Sequence, residues 1–340
     1  MTVRAIRGAI TVSSNTEDEI INKTKKLFMK IIEKNKINKS DIINIIFSLT
    51  NDLDRVYPAK AIRDMGILDI PMMCFGEANI YGSLKKCIRI LIQINTDKNK
   101  EEIEHVYLGG ARILREDLTK MISIAIDGPA GAGKSTIADV LSKRLSILHV
   151  DTGAMYRAVA YLAIEKGYDV ESNEEISAII GDIDLEQRYI DGKQKIYLNG
   201  EDITDKIRTP KISSGASSVA KLLCVREKLT RIQQDMAKKE SVIMDGRDIG
   251  SFVLPNANLK IFLTASVEER TKRRYEDLLK KGIYDKKIDE IKEDIIARDK
   301  NDTTREISPL KMADDAILID STGMTIEEVV NKIIDLVEDI

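Results

Sequence analysis

The chain has 340 residues, of which 43% are hydrophobic and 32% charged, and a net charge of −3. That length predicts two domains, each able to bury its own core, and the near-balanced charge supplies no basic field for a nucleic-acid polymer. Three cysteines without a C-x-x-C and only two histidines leave too few soft ligands for a zinc or iron centre. The start is charged from Arg4, and no run of about 18 apolar residues occurs, so export and a membrane span are excluded and a reducing cytoplasm is the expected compartment.

Val3, Ala5 and Ala9 alternate along an opening strand. Thr16-Glu-Asp-Glu19 reads as a capping box, and Ile20, Ile21, Leu27, Phe28, Ile31 and Ile32 follow at helical spacing. Ile42 to Thr50 reads as a buried strand. Pro58 to Gly66 reads as a short helix with proline in its first turn and glycine at its end, with Lys60 and Arg63 on one face. From Cys87 to Ile94 the isoleucines at 88, 90, 92 and 94 point one way while Arg89, Leu91 and Gln93 point the other. Arg89 therefore sits mid-strand among apolar neighbours, either on a solvated sheet face or in a site that supplies anionic partners for its guanidinium.

Arg-Gly-Ala at 7–9, Tyr-Pro-Ala-Lys-Ala-Ile-Arg at 57–63, Met-Cys-Phe-Gly-Glu at 73–77, Leu-Lys-Lys-Cys-Ile-Arg at 84–89, His-Val-Tyr-Leu at 105–108 and Leu-Arg at 114–115 come in a telling order. Together they resemble the trimeric, monofunctional chorismate mutases of the AroH type over nearly the whole of residues 1–118. The resemblance implies an α+β subunit, a homotrimer formed through this domain, and active sites in the clefts between chains. It also implies rearrangement of chorismate to prephenate with no cofactor. On that likeness Arg89 is the donor to the breaking ether oxygen, Arg7 and Tyr107 meet a substrate carboxylate, and Glu77 takes the ring hydroxyl. Met73 and Cys74 line the pocket, and Tyr57, Lys60, Arg63 and Arg115 close it or attract the dianion. The rival reading of this half is a trimerising or regulatory module without catalysis.

A short polar tether, Glu116 to Lys120, leads to the run Ile122 to Asp127 and then to Gly128-Pro129-Ala130-Gly131-Ala132-Gly133-Lys134-Ser135-Thr136. This fits G-x-x-x-x-G-K-[ST], a loop whose backbone N–H groups turn onto a polyphosphate, with Lys134 on the β and γ oxygens and Ser135 on Mg²⁺. Ile137, Val140, Leu141 and Leu145 form the buried stripe of the next helix, and Leu148 to Asp151 reads as a strand. Ser241 to Met244, Leu259 to Leu263 and Ala316 to Ile319 have the length of further core strands in a parallel sheet. Between them, Tyr189 to Tyr197 reads as strand, Asp191-Gly192 turn and strand, and Asn199-Gly200 marks a second turn. The loop alone leaves GTPase, motor ATPase and small-molecule kinase open.

Asp151-Thr-Gly-Ala-Met-Tyr-Arg157, Asp245-Gly-Arg-Asp-Ile-Gly250 and Ala297-Arg-Asp-Lys-Asn-Asp-Thr-Thr-Arg305 narrow the choice. They are similar to the nucleotide-contacting motifs of bacterial cytidylate kinases, from Met121 to the end. The resemblance implies a parallel α/β P-loop domain over 119–340, an antiparallel nucleotide-binding insert at about 182–210 and a lid at about 266–306. It implies ATP with Mg²⁺ as phosphoryl donor and CMP or dCMP as acceptor. Arg157 and Arg247, assisted by Thr152, hold the acceptor phosphate; Ser217, Arg226 and Asp248 face the cytosine; Asp302 takes the ribose. Arg298 and Arg305, with Arg270, Arg273 and Arg274, form the lid, and Asp245 is a Walker-B-like carboxylate near the metal. The alternative acceptor is shikimate.

Overall fold

A computed structural model describes residues 1–118, 121–190, 193–280 and 287–338. Two compact units emerge, one comprising Met1–Lys120 with Arg144–Ser146 and Ile334–Asp339, the other Met121–Lys143 with Ile147–Ile333. Among the described residues no helix is long and apolar enough to cross a membrane.

The first unit runs β1 (Thr2–Thr11), α1 (Glu17–Asn35), β2 (Ile42–Leu49), α2 (Ala59–Arg63), β3 (Met72–Gly76), β4 (Cys87–Thr96) and β5 (Val106–Leu108). Its mixed sheet has the order β3-β2-β4-β1-β5. Leu27, Phe28 and Ile31 of α1 bury against Ile6, Ile10, Ile45, Phe47, Ile88, Ile90 and Ile92 on one sheet face. Gly8 lies where helix and sheet touch, since a Cβ there would stand 2.7 Å from Ile31 and 2.9 Å from Ile90.

The alternation expected from Cys87 onward holds, and of the alternating residues read in β1 Ala9 is buried while Val3 and Ala5 are exposed. Pairing of Ile6 with Ile92 and Ile10 with Ile88 commits the even-numbered residues to the core, and Val3 is left 54% exposed. The capping box is half realised. Thr16 accepts from the Glu19 N–H, while the Glu19 carboxylate accepts from the backbone N–H and hydroxyl of Ser13.

The second unit begins with β6 (Ser123–Asp127), α3 (Lys134–Leu145), β7 (Leu148–Asp151), α4 (Thr152–Glu165) and α5 (Asn173–Ile180). An antiparallel insert follows, β8 (Leu185–Ile190), β9 (Lys193–Leu198) and β10 (Glu201–Asp202), then α6 (Pro210–Val219) and α7 (Leu223–Lys239). The chain continues through β11 (Val242–Gly246), β12 (Leu259–Thr264), α8 (Val267–Lys280), α9 (Ile288–Thr304), β13 (Ile317–Asp320) and α10 (Ile326–Glu338).

The sheet is parallel throughout, in the order β13-β12-β6-β11-β7. β13 is an edge strand, not the core strand its apolar run suggested: Ile317 and Leu318 are 38% and 54% exposed. In the insert, Asn199 and Gly200 both have positive φ, 52° and 84°, and connect β9 to β10 as the mirror-image turn expected of Asn-Gly. The expected Asp191-Gly192 turn lies outside the described residues, as does the end of the tether at Thr119-Lys120.

Candidate active sites

Ladder register places the first site. Arg89 of β4 stands opposite Ala9 of β1 and Ser48 of β2, and Tyr107 of β5 also stands opposite Ala9. Arg7, Ser48, Arg89 and Tyr107 therefore share the sheet face that α1 does not cover. An open cavity of about 530 Å³ there is lined by Arg7, Ser48, Glu77, Ala78, Ile80, Arg89 and Leu114. Glu77 follows β3, where its N–H donates to the Leu49 carbonyl. Its carboxylate accepts from Ser48 Oγ at 2.6 Å and pairs with the Arg89 guanidinium.

Burial and the neighbouring positive charge of Arg7 pull the Arg89 pKa down. His105 accepts the Arg7 backbone N–H at Nδ1, and burial followed by the charges of Arg115 and Arg7 lowers its pKa, which favours the neutral ring. The Tyr107 hydroxyl is buried and bonds to no described residue. Arg115 grips Asp117 through two bonds of 2.9 and 2.8 Å. Two like-charged guanidinia, a hydroxyl without a partner and one carboxylate suit a small dianion that carries a hydroxyl.

The other expected residues of this half lie apart from the cavity. Tyr57 is 72% exposed and Met73 58% exposed. Lys60 pairs with Asp64 at 3.0 Å and Glu17 at 3.5 Å on α2, where Arg63 is also exposed. Cys74 stands beside Phe47 on the helix-covered face, where burial raises its thiol pKa. None of these five lines the Arg89 cavity.

The second site opens where β6 ends. Gly128 has φ 147°, and a Cβ on it would stand 1.9 Å from the Leu263 carbonyl oxygen, so only glycine lets the chain leave the sheet there. Gly131 and Gly133 also have positive φ, which leaves a cradle of backbone N–H groups at the start of α3. Lys134 is buried, donates to the Pro129 carbonyl at 2.7 Å, and has its pKa drawn well down by burial and by the nearby charge of Arg247.

Ser135 Oγ donates to Asp245 Oδ2 at 2.6 Å, and His149 Nε2 lies 2.8 Å from Asp245 Oδ1. Burial works against charge on both partners. It is the largest single influence on each, but the bond and mutual attraction of the pair, joined by Ser135 and Lys134 for Asp245 and by Asp151 and Asp139 for His149, together outweigh it, so the Asp245 pKa is lowered and the His149 pKa raised.

Around this loop the cations converge. Arg298 feels Arg247, Arg157 and Arg274 in addition to the desolvation that lowers its pKa. Arg157 is held by Asp151 at 2.9 Å and Arg247 by Asp302 at 2.7 Å. Asp248 pairs with buried Arg226 and lies 3.5 Å from Arg305; the Arg226 guanidinium also stands over Tyr156 and Phe252. The Nε atoms of Arg157 and Arg226 are buried and bond to no described residue. These groups and the glycine cradle fit a bound polyphosphate, and the adjacent oxygens of Ser135 and Asp245 are hard donors of the kind Mg²⁺ takes.

Not every expected residue faces this cluster. The Thr152 hydroxyl donates to the Asp245 carbonyl at 2.6 Å, and Ser217 is exposed on α6 with its hydroxyl on the Ser213 carbonyl. Arg270, expected in the lid, is only 4% exposed and is bound to the carbonyls of Ala130 and Ala265 and to Asp299.

Residue-by-residue reading missed Ser48, Asp127, His149, Asp151, Gln187 and Asp299. Asp127 accepts the N–H groups of Ile249 and Gly250 at 2.8 and 2.7 Å and so anchors the Asp245 to Gly250 segment. Its position directly before Gly128 is the available signal, and that of Asp151 is its place at the head of the 151–157 motif; Ser48, His149 and Gln187 act through partners distant in sequence, and Asp299 through a helix-to-helix contact with Arg270.

Residues 124–339 match the family model described as Cytidylate kinase, and residues 3–118 match Chorismate mutase type I. Over 217 residues the chain is 52% identical to the cytidylate kinase of Caldicellulosiruptor bescii, covering 64% of this chain and 96% of that one. It is 50% identical over 220 residues to that of Bacillus cereus, covering 65% and 97%. Among solved structures, a chorismate mutase from Clostridium thermocellum is 52% identical, with 32% of this chain and 98% of that one covered and a TM-score of 0.32. The family match leaves the shikimate kinase alternative without support. The chain belongs to the cytidylate kinase family and carries a chorismate mutase type I domain in front of the kinase, which makes it a bifunctional enzyme.

Proposed function

We propose that residues 1–118 rearrange chorismate to prephenate and that residues 119–340 transfer a phosphoryl group from ATP to CMP or dCMP. For the first half the supporting observation is the Arg7, Ser48, Glu77 and Arg89 constellation on one sheet face. The rearrangement breaks one C–O bond and makes one C–C bond without proton transfer. What the protein contributes is a compact substrate conformation and a fixed positive charge at the ether oxygen. Arg89 fills that role, Arg7 and Tyr107 bind a carboxylate, and Glu77 accepts from the ring hydroxyl.

Tyr57, Lys60, Arg63, Met73 and Cys74 lie away from this cavity, which supports a site completed by a second copy and hence a homotrimer. The uncovered sheet face, with Val3, Met73 and Phe75 exposed, supports the same assembly.

For the second half the carrying observation is the gathering of Lys134, Arg157, Arg247 and Arg298 about the glycine loop. Lys134 binds the donor phosphates, and Arg157 and Arg247 draw the acceptor phosphate into line. Arg298 and Arg305 exclude water over the transferring group, Asp302 meets the ribose, and Arg226, Asp248 and Ser217 read the base. Ser135 and Asp245 would hold a Mg²⁺ brought with the nucleotide, which would supply neutralisation of phosphate charge. Cys74, Cys87 and Cys224 are unpaired, which supports a reducing cytoplasmic setting.

The test is a pair of variants assayed for both activities. Arg89→Ala should lower chorismate turnover by on the order of a thousandfold and leave CMP phosphorylation intact. Lys134→Ala should do the reverse by about a hundredfold or more. Equal loss of both activities in either variant would refute independent sites, and faster phosphorylation of shikimate than of CMP would refute the acceptor.

A further inference from the structure

β7 is the outer strand of the parallel sheet, so the backbone groups of His149 and Asp151 on its free edge need partners. Among the described residues no strand supplies them. Two glutamines of the insert do so instead: Gln187 Oε1 accepts from the Asp151 N–H at 3.0 Å and Gln187 Nε2 donates to the Asp151 carbonyl at 2.9 Å. Gln194 Nε2, on the neighbouring strand, donates to the His149 carbonyl at 2.9 Å and to Gln187 Oε1 at 2.8 Å. Tyr189 extends the seam by donating to Asp139 of α3 at 2.7 Å. Gln187 is 7% exposed, so its amide is committed to this role.

The residue so gripped is the one that aims the acceptor clamp. Asp151 caps α4 by accepting the Ala154 N–H at 2.8 Å with Oδ1, and with Oδ2 it holds the Arg157 guanidinium at 2.9 Å. A side chain's direction is set by its backbone, and the Asp151 backbone is pinned on both its N–H and its C=O by a single amide.

We propose that Gln187 is a positioning residue for the phosphoryl acceptor: through Asp151 it ties the place of the β8–β9 hairpin to the aim of Arg157. The proposal rests on the reading of Arg157 as a ligand of the CMP phosphate. It adds that the insert and the clamp move as one body, so the specificity of the hairpin and the grip on the phosphate are not separable.

Gln187→Leu tests it, with CMP and ATP kinetics and amide hydrogen exchange measured on the full chain. Three uncharged hydrogen bonds are lost, two to the Asp151 backbone and one from Gln194, so the KM for CMP should rise about tenfold. The KM for ATP should stay within about twofold, and the Asp151 amide should exchange faster. A control, Arg188→Ala on the exposed face of the same strand, should behave as wild type. Unchanged CMP KM, or parallel changes in CMP and ATP KM, would overturn the proposal; a purely structural role predicts the latter.

If Gln187→Leu does not fold, Gln187→Glu keeps an acceptor for the Asp151 N–H but replaces the donor to its carbonyl by a carboxylate oxygen that repels it. It should raise the CMP KM, and no rise refutes the idea. Failure of the wild-type chain to phosphorylate CMP would instead strike the underlying reading of the site, so the two failures are distinguishable.

Discussion

Asp245 is steadied from two sides, by Ser135 on one oxygen and by His149 on the other. A hydrogen bond to a buried carboxylate contributes about 1.5–3 kcal/mol. His149→Phe should therefore slow phosphoryl transfer about tenfold or more while leaving the dissociation constant for CMP and chorismate turnover unchanged, as steady-state kinetics on the purified variant would report.

Asp127 makes a different prediction. Burial pushes its carboxyl up to about 6 from an ordinary 3.8, so the folded chain takes up this proton before the unfolded one does. Its contribution to stability is complete below the unfolded value and is lost as pH rises through about 6. Asp127→Asn should flatten that part of the stability profile, read by denaturant unfolding across the window. Lys134 is singled out by the spacing of its glycine loop, and Arg89, Asp245 and Arg157 by ordered motifs that resemble known families. His149, Ser48 and Gln187 were not, because each works through a partner on another strand and carries no local pattern.

At the scale of elements, amphipathic period and turn chemistry located β1, α1, β2, α2 and β4 of the first unit and β6, α3, β7, β8 and β9 of the second, but not β3, β5, α4 or α9, which carry or precede Glu77, Tyr107, Arg157 and Arg298. Where they misled, tertiary pairing decided. β1 contains apolar residues on both faces, so only its ladder with β4 settles which face is buried. β13 is as apolar as an inner strand yet occupies an edge, where sequence alone gives no neighbour count.

Two glycines make the elements testable. Gly8→Ala forces a Cβ against Ile31 and Ile90 and should destabilise the first unit by about 1–3 kcal/mol, seen as an earlier loss of chorismate turnover on heating with CMP kinase activity unaffected. Gly128→Ala meets backbone instead, the Leu263 carbonyl, which cannot rotate away. Titration of the variant with ATP should show no binding, while prephenate formation continues.

On the scale of the whole molecule, a chain of 38.2 kDa that assembles as proposed should elute and scatter light as three copies, about 115 kDa. A monomer with full mutase activity would contradict the shared site. The two families were legible from ordered motifs, whereas the partner copy is not written in any single residue; it is inferred from groups that one chain leaves apart.

Motion at this scale has a constraint of its own. The guanidinium of Arg270 joins the phosphate loop at Ala130, the end of β12 at Ala265 and α9 at Asp299. α9 therefore cannot swing as a free rod. Any sweep of that helix would either sever the Asp299 contact or tug the loop through a single shared knot, so a displacement of one is felt mechanically by the other.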